Sequence, residues 1–161
     1  MELGKKFSYD RDKFQFRYEI ENIFQTHNLE YIHKFEDCNF GILSFDTDQS
    51  TSLHKKFYSQ VRQSNFLNLY HNFIKEEILP KFGEDILYQK IPTFRAQVPN
   101  NISVAEFHKD KSYSHSHHEV NIFLPLTSAK DTSTIWVESK EDLSDYTPMN
   151  ADYGEYYIWN G

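Results

Sequence analysis

Apolar positions follow helical spacing in the first half of this chain and alternate in the second half. Leu53, Phe57, Val61, Phe66, Leu69, Tyr70, Phe73, Ile74 and Ile78 recur on one broad face, and Ser50, Thr51 and Ser52 offer N-caps before them. The spacing predicts one long helix that Pro80 and Gly83 end. Lys and Glu hold much of its other face, the pattern of a supporting helix on a sheet, without chemistry of its own. Earlier, Phe14, Phe16, Tyr18 and Ile20 alternate like a strand, while Ile20, Ile23 and Phe24 keep helical spacing, so both types stay open there. Asn28 is positioned to cap a short helix carrying Leu29, Ile32 and His33. Gly41-Ile-Leu-Ser-Phe45 reads as a short strand before the acidic turn Asp46-Thr-Asp48.

After Gly83 the period changes to two. In Pro92-Thr-Phe-Arg-Ala-Gln-Val98, Phe94, Ala96 and Val98 share one face and Thr93, Arg95 and Gln97 the other. Residues 119–126 set Val120, Ile122, Leu124 and Leu126 opposite Asn121 and Phe123, and residues 134–138 and 155–159 add two more runs. Helices followed by short strands predict an α+β fold with an antiparallel sandwich or barrel in its second half. The expectation is a single domain over 1–161, mostly helical in 1–85 and β-rich in 86–161.

Composition narrows the classes. The chain has 161 residues, enough for one domain with a real core, and 17% of them are aromatic, so large rings carry much of the burial. A net charge of −7 disfavours a general phosphate-backbone binder, so no nucleic-acid partner is expected. One cysteine, Cys38, excludes an intramolecular disulfide and a cysteine-rich zinc site, and Glu36 and Asp37 beside it disfavour a nucleophilic thiolate. No secretory h-region and no run of 18 apolar residues is present, so the expectation is a cytoplasmic protein without a membrane partner.

Four of the 8 histidines crowd into His108-Lys-Asp110 and His115-Ser-His117-His118. In an extended strand His108 and Asp110 point the same way and can offer an imidazole nitrogen and a carboxylate oxygen to one metal ion. That pair is two thirds of the 2-His-1-carboxylate set that leaves positions open on non-heme Fe(II). Spacing alone is weak, since chance supplies roughly half of one such pair in a chain with these frequencies. Arg95, Gln97 and Asn121 on nearby strand faces suit a pocket for an anionic ligand; their ordinary alternatives are a surface ion pair and sheet-face residues.

The ordered series Ile91-Pro-Thr-Phe-Arg-Ala-Gln-Val-Pro99, Glu106-Phe-His-Lys-Asp110, Tyr113-Ser-His115, Glu119-Val-Asn-Ile-Phe-Leu-Pro-Leu-Thr127, Thr134-Ile-Trp-Val-Glu138 and Gly154-Glu-Tyr-Tyr-Ile-Trp-Asn-Gly161 resembles the Fe(II)/2-oxoglutarate-dependent oxygenases. Within them it is most similar to hydroxylases of the streptomycin-biosynthesis type, close to the phytanoyl-CoA dioxygenase-like branch. Leu53-His-Lys-Lys-Phe-Tyr58 fits as well. The resemblance implies a double-stranded β-helix (jelly roll) with N-terminal helices, and hydroxylation of a small metabolite at an unactivated C–H. By position it implies iron ligands at His108 and Asp110, pocket side chains at Arg95, Gln97 and Asn121, and a substrate-side loop bearing Tyr113 and His115. Fe(II) is the implied metal and 2-oxoglutarate the implied co-substrate.

In that family a distal histidine and then a co-substrate arginine follow a stretch like residues 154–161, and this sequence holds neither. The expectation is a fragment incomplete at its C-terminus, which binds metal weakly, turns nothing over alone, and dimerises through sheet edges its missing strands would cover. The alternative is a non-catalytic or cupin-like jelly-roll binding protein. His115 and His117 form the same-face pair of a cupin, but the later glutamate and glycine spacing are missing. A helical His-Glu-x-x-His of the zinc hydrolases is missing too.

Overall fold

Phe16, Ile20, Ile23 and Phe24, three or four residues apart, make the first open segment a helix, α1 (Phe16–Phe24), with all four side chains buried. Gln25 ends it in the left-handed conformation, φ 54°. The computed structural model describes residues 4–36, 38, 41–44, 46–102, 118–140 and 142–160. They fall into two compact units, one formed by residues 12–106 and one by residues 1–11 with 107–161.

In the 12–106 unit, Asn28 caps a 3₁₀ turn, Leu29–Lys34, by accepting from the Glu30 backbone N–H, as its sequence position predicts. Arg17 ties α1 to that turn, donating to Glu21 at 3.0 Å and to both Glu30 oxygens at 2.7 and 2.6 Å. The expected single helix is instead divided. α2 (Ser52–Gln60) runs into a 3₁₀ turn, Val61–Gln63, and α3 (Phe66–Phe73) starts afresh. Its cause is legible afterwards: Val61 and Phe66 are five residues apart, a step no α-helical face supports, and Ser64 fills the break. Its hydroxyl donates to the Val61 carbonyl at 2.9 Å and accepts from the Phe66 N–H at 3.2 Å.

A π turn, Ile74–Ile78, and α4 (Leu79–Phe82) continue the run. Pro80 therefore does not end it. Pro80 stands in the first turn of α4, directly after the π turn, and Gly83, at φ 71°, makes the stop. Phe14, Phe16, Phe57, Phe66 and Phe73 pack edge to face or tilted around this core.

Two expected strands of this unit form no ladder among the described residues. At 41–44 the Asn101 side chain takes the place of a partner strand, accepting from the Leu43 N–H at 3.0 Å and donating to the Gly41 carbonyl at 2.8 Å. Along 92–98 the alternation survives as burial alone: Phe94, Ala96 and Val98 are half-buried and Thr93, Arg95 and Gln97 exposed.

The other unit is a sheet with β5 (Glu155–Trp159) in its centre, antiparallel to β1 (Lys5–Ser8) and β2 (Asn121–Phe123). Tyr156 and Ile158 alternate inward and are both fully buried, with Phe7 stacked on Tyr156 at 5.4 Å. The 119–126 run is shortened to three residues, and Pro125, which has no N–H, lies just past its C-terminal end. The 134–138 run shrinks to β3 (Trp136–Val137), paired with β4 (Thr147–Pro148). Gly154 turns the chain into β5 at φ 102°, a conformation that favours glycine, and a Cβ there would lie 2.6 Å from the Arg11 side chain, which would have to move. The strands make small antiparallel sheets and no closed barrel among the described residues.

Candidate functional site

The acidic turn before α2 is organised by short-range hydrogen bonds. Thr47 and Asp48 both donate to the Ser44 carbonyl at 2.9 Å, and Thr47 Oγ1 accepts from the Ser44 N–H at 2.8 Å. Thr51 is the N-cap of α2, but its hydroxyl does not cap the backbone. Instead Thr51 Oγ1 shares a 2.7 Å hydrogen bond with Nδ1 of His54, one helical turn on. His54 is only 1% exposed, and its Nε2 has no hydrogen-bond partner among the described residues. Burial holds the ring below the ordinary histidine range, the nearby Arg95 charge adds to this, and Asp48 works against both. Burial thus favours the neutral form of this imidazole at the start of α2.

The extended segment 92–98 closes over this point. Phe94 turns inward, stacked on Phe57 at 4.3 Å and edge-on to the His54 ring at 5.7 Å. Its backbone N–H donates to Tyr58 Oη at 3.0 Å. Arg95 then meets the acidic turn: Nη1 lies 2.6 Å from Asp48 Oδ2, and the Gln49 amide, oriented to satisfy both partners, accepts from Nη1 and Nη2 at 3.1 Å. The Arg95 side chain stays 53% exposed while Asp48 is 14% exposed. Chemically this is a guanidinium clamp at the surface, resting on a carboxylate it can exchange for another planar anion.

Of the residues singled out in the sequence, Arg95 and Gln97 belong to the 12–106 unit and Asn121 to the other. Arg95 stands in an ion pair, and Gln97 is exposed and makes no hydrogen bond among the described residues. Asn121 opens β2, half-buried, in register with Trp159. His108, Asp110, Tyr113 and His115 lie outside the described residues. Among the described residues no group of three or more His, Cys, Asp or Glu side chains is positioned to hold a metal ion. Nor is any helix among them long and apolar enough to cross a membrane. The Thr51–His54 pair was not foreseen; a Thr at an N-cap with His three residues later was its signal.

The chain is 32% identical over 118 residues to the streptomycin biosynthesis protein StrG of Streptomyces griseus. The match takes in 72% of this chain and 53% of that protein, so the chain spans about half the length of the curated relative it matches. No family model and no solved structure matches the chain.

Proposed function

We propose that this chain carries part of the active site of an Fe(II)- and 2-oxoglutarate-dependent oxygenase that hydroxylates a small polar metabolite, on a double-stranded β-helix. The observation that carries the reading is the ordered motif series around His108-Lys-Asp110; similarity to a protein named for streptomycin biosynthesis supports a biosynthetic role. His108 and Asp110 would hold the iron, and their donor chemistry fits it, imidazole nitrogen beside carboxylate oxygen with further positions left open. When bound, iron would supply the oxidative step, in which dioxygen gives one oxygen atom to the succinate formed as 2-oxoglutarate loses carbon dioxide and the other to a substrate C–H, which becomes C–OH.

The remaining work belongs to the protein's own side chains. Arg95, whose side chain is 53% exposed, would hand its guanidinium from Asp48 to a ligand carboxylate of the same planar geometry. Phe94, the residue before that arginine, is anchored inward against the buried His54 ring. Gln97, Asn121, Tyr113 and His115 would orient substrate by hydrogen bonds. The family pattern also includes a third iron ligand and a co-substrate arginine, which the reading assigns to no residue of this chain.

Anaerobic calorimetric titration of the chain with Fe(II) tests the ligand assignment. The expected result is weak, saturable binding that His108→Ala and Asp110→Ala each abolish. Heats unchanged by either substitution would refute it.

A further inference from the structure

We propose that a second cleft, formed by α3, the π turn and residues 85–88, binds a small zwitterion, a molecule with one anionic group and one amine on a short aliphatic link. The cleft is half open to solvent, with a volume of about 370 Å³, at the small end of the range of small-molecule sites. Its walls are pinned together. Tyr70 Oη donates to the Gln89 carbonyl at 2.9 Å, Tyr88 Oη and His71 Nδ1 share a 3.2 Å hydrogen bond, and the two tyrosine rings meet edge to face at 5.9 Å. Such a cleft is formed before any ligand arrives, which reduces the ordering cost of binding.

Its charges select the ligand. Lys75 and Asp85 both line the cleft, and neither forms an ion pair or hydrogen bond among the described residues. The adjacent Glu76, by contrast, is held by Lys13. A lone anion would meet Asp85 and a lone cation would meet Lys75; a ligand carrying both charges satisfies both side chains. Ile74, Leu79 and Ile86 line the same cleft and offer aliphatic surface for the link. Ile74 and Lys75 lie in the π turn itself, an irregularity that recurs at functional sites. None of these residues is used by the oxygenase reading, so either can fail alone.

The full chain is titrated with ε-aminocaproate, and separately with caproate and hexylamine, which carry one charge each. Affinity is read by calorimetry and location by the methyl resonances of Ile74, Leu79 and Ile86. The expected result is shifts at those methyls and roughly two- to fivefold tighter binding of ε-aminocaproate than of either single-charge probe, since exposed ion pairs are individually weak. Lys75→Met should reduce ε-aminocaproate to the affinity of hexylamine, and Asp85→Asn to that of caproate. Both positions are exposed, so an unchanged far-ultraviolet spectrum checks that the variants are folded. Equal affinities for the three probes, shifts elsewhere, no binding, or folded variants that bind ε-aminocaproate like the wild type would each overturn the proposal.

Discussion

The 12–106 unit and the sheet unit bury aromatic rings by different routes. In the former, rings at helical spacing meet others on neighbouring helices, and Phe57 alone touches Tyr58, Phe66 and Phe94. In the latter, Tyr156 is buried against Phe7 and Tyr9, brought from the opposite end of the chain. The Lys6–Glu155 ion pair beside them spans 149 residues. The difference teaches where sequence pattern carries information. A face of a helix is written in nearby residues, whereas the value of a strand depends on a partner that local spacing does not name.

Substitutions in the two units sharpen this comparison, and Phe57→Ala should have the largest effect. Phe57 is fully buried, so its loss should cost about 3–5 kcal/mol, measured by urea unfolding followed at the helical circular dichroism band. A cost below about 1 kcal/mol would mean the ring stack is not the core of this unit.

Gly154→Ala comes next and acts on the sheet. Positive φ and the clash with Arg11 together predict a loss of roughly 2–4 kcal/mol. Trp136 and Trp159 both belong to the sheet unit, so tryptophan fluorescence follows it. Combining Gly154→Ala with Arg11→Ala should restore the steric part and leave the backbone part; a double variant no better than the single one would remove the clash from the account.

Thr51→Val, which strands His54 Nδ1 in the core, should cost about 1–3 kcal/mol by the same unfolding assay. His54 also sets a pH dependence. Its folded pKa lies below the ordinary value of 6.5, so the unfolded chain takes up the proton first. Stability should therefore fall as pH drops below about 6.5, down to the lowered folded value, with no such loss above that range. His54→Asn should flatten this part of the profile; an unchanged slope would show that other groups cause it.

The smallest effect is expected at Arg95. Arg95→Ala should cost about 1 kcal/mol, somewhat less at high salt, because the arginine end of its pair with Asp48 is open to water while Asp48 is not. A larger loss would make Arg95 a structural residue and weaken its proposed exchange onto a ligand.

Much of the helical unit was legible in the sequence. Asn28 as a cap, Gly83 as a stop and the buried face from Leu53 to Ile78 follow from local spacing. The break at Ser64 was written in the five-residue step from Val61 to Phe66, but a broad hydrophobic face conceals one skipped position. β1 escaped notice because Lys5–Ser8 holds a single apolar residue and its partner strand lies at the far end of the chain. Along 92–98 the alternation was correct for burial, yet alternation alone cannot supply the neighbouring strand that makes a ladder. For the candidate site, Arg95 could be picked out by residue type, but its engagement with Asp48 joins two loops 47 residues apart that no periodicity links.

The most direct test of the oxygenase reading is to translate the whole reading frame that contains this chain and measure Fe(II)-dependent release of carbon dioxide from 2-oxoglutarate. The account predicts release that His108→Ala and Asp110→Ala each abolish. No release from the whole protein, or release that survives His108→Ala, would contradict it.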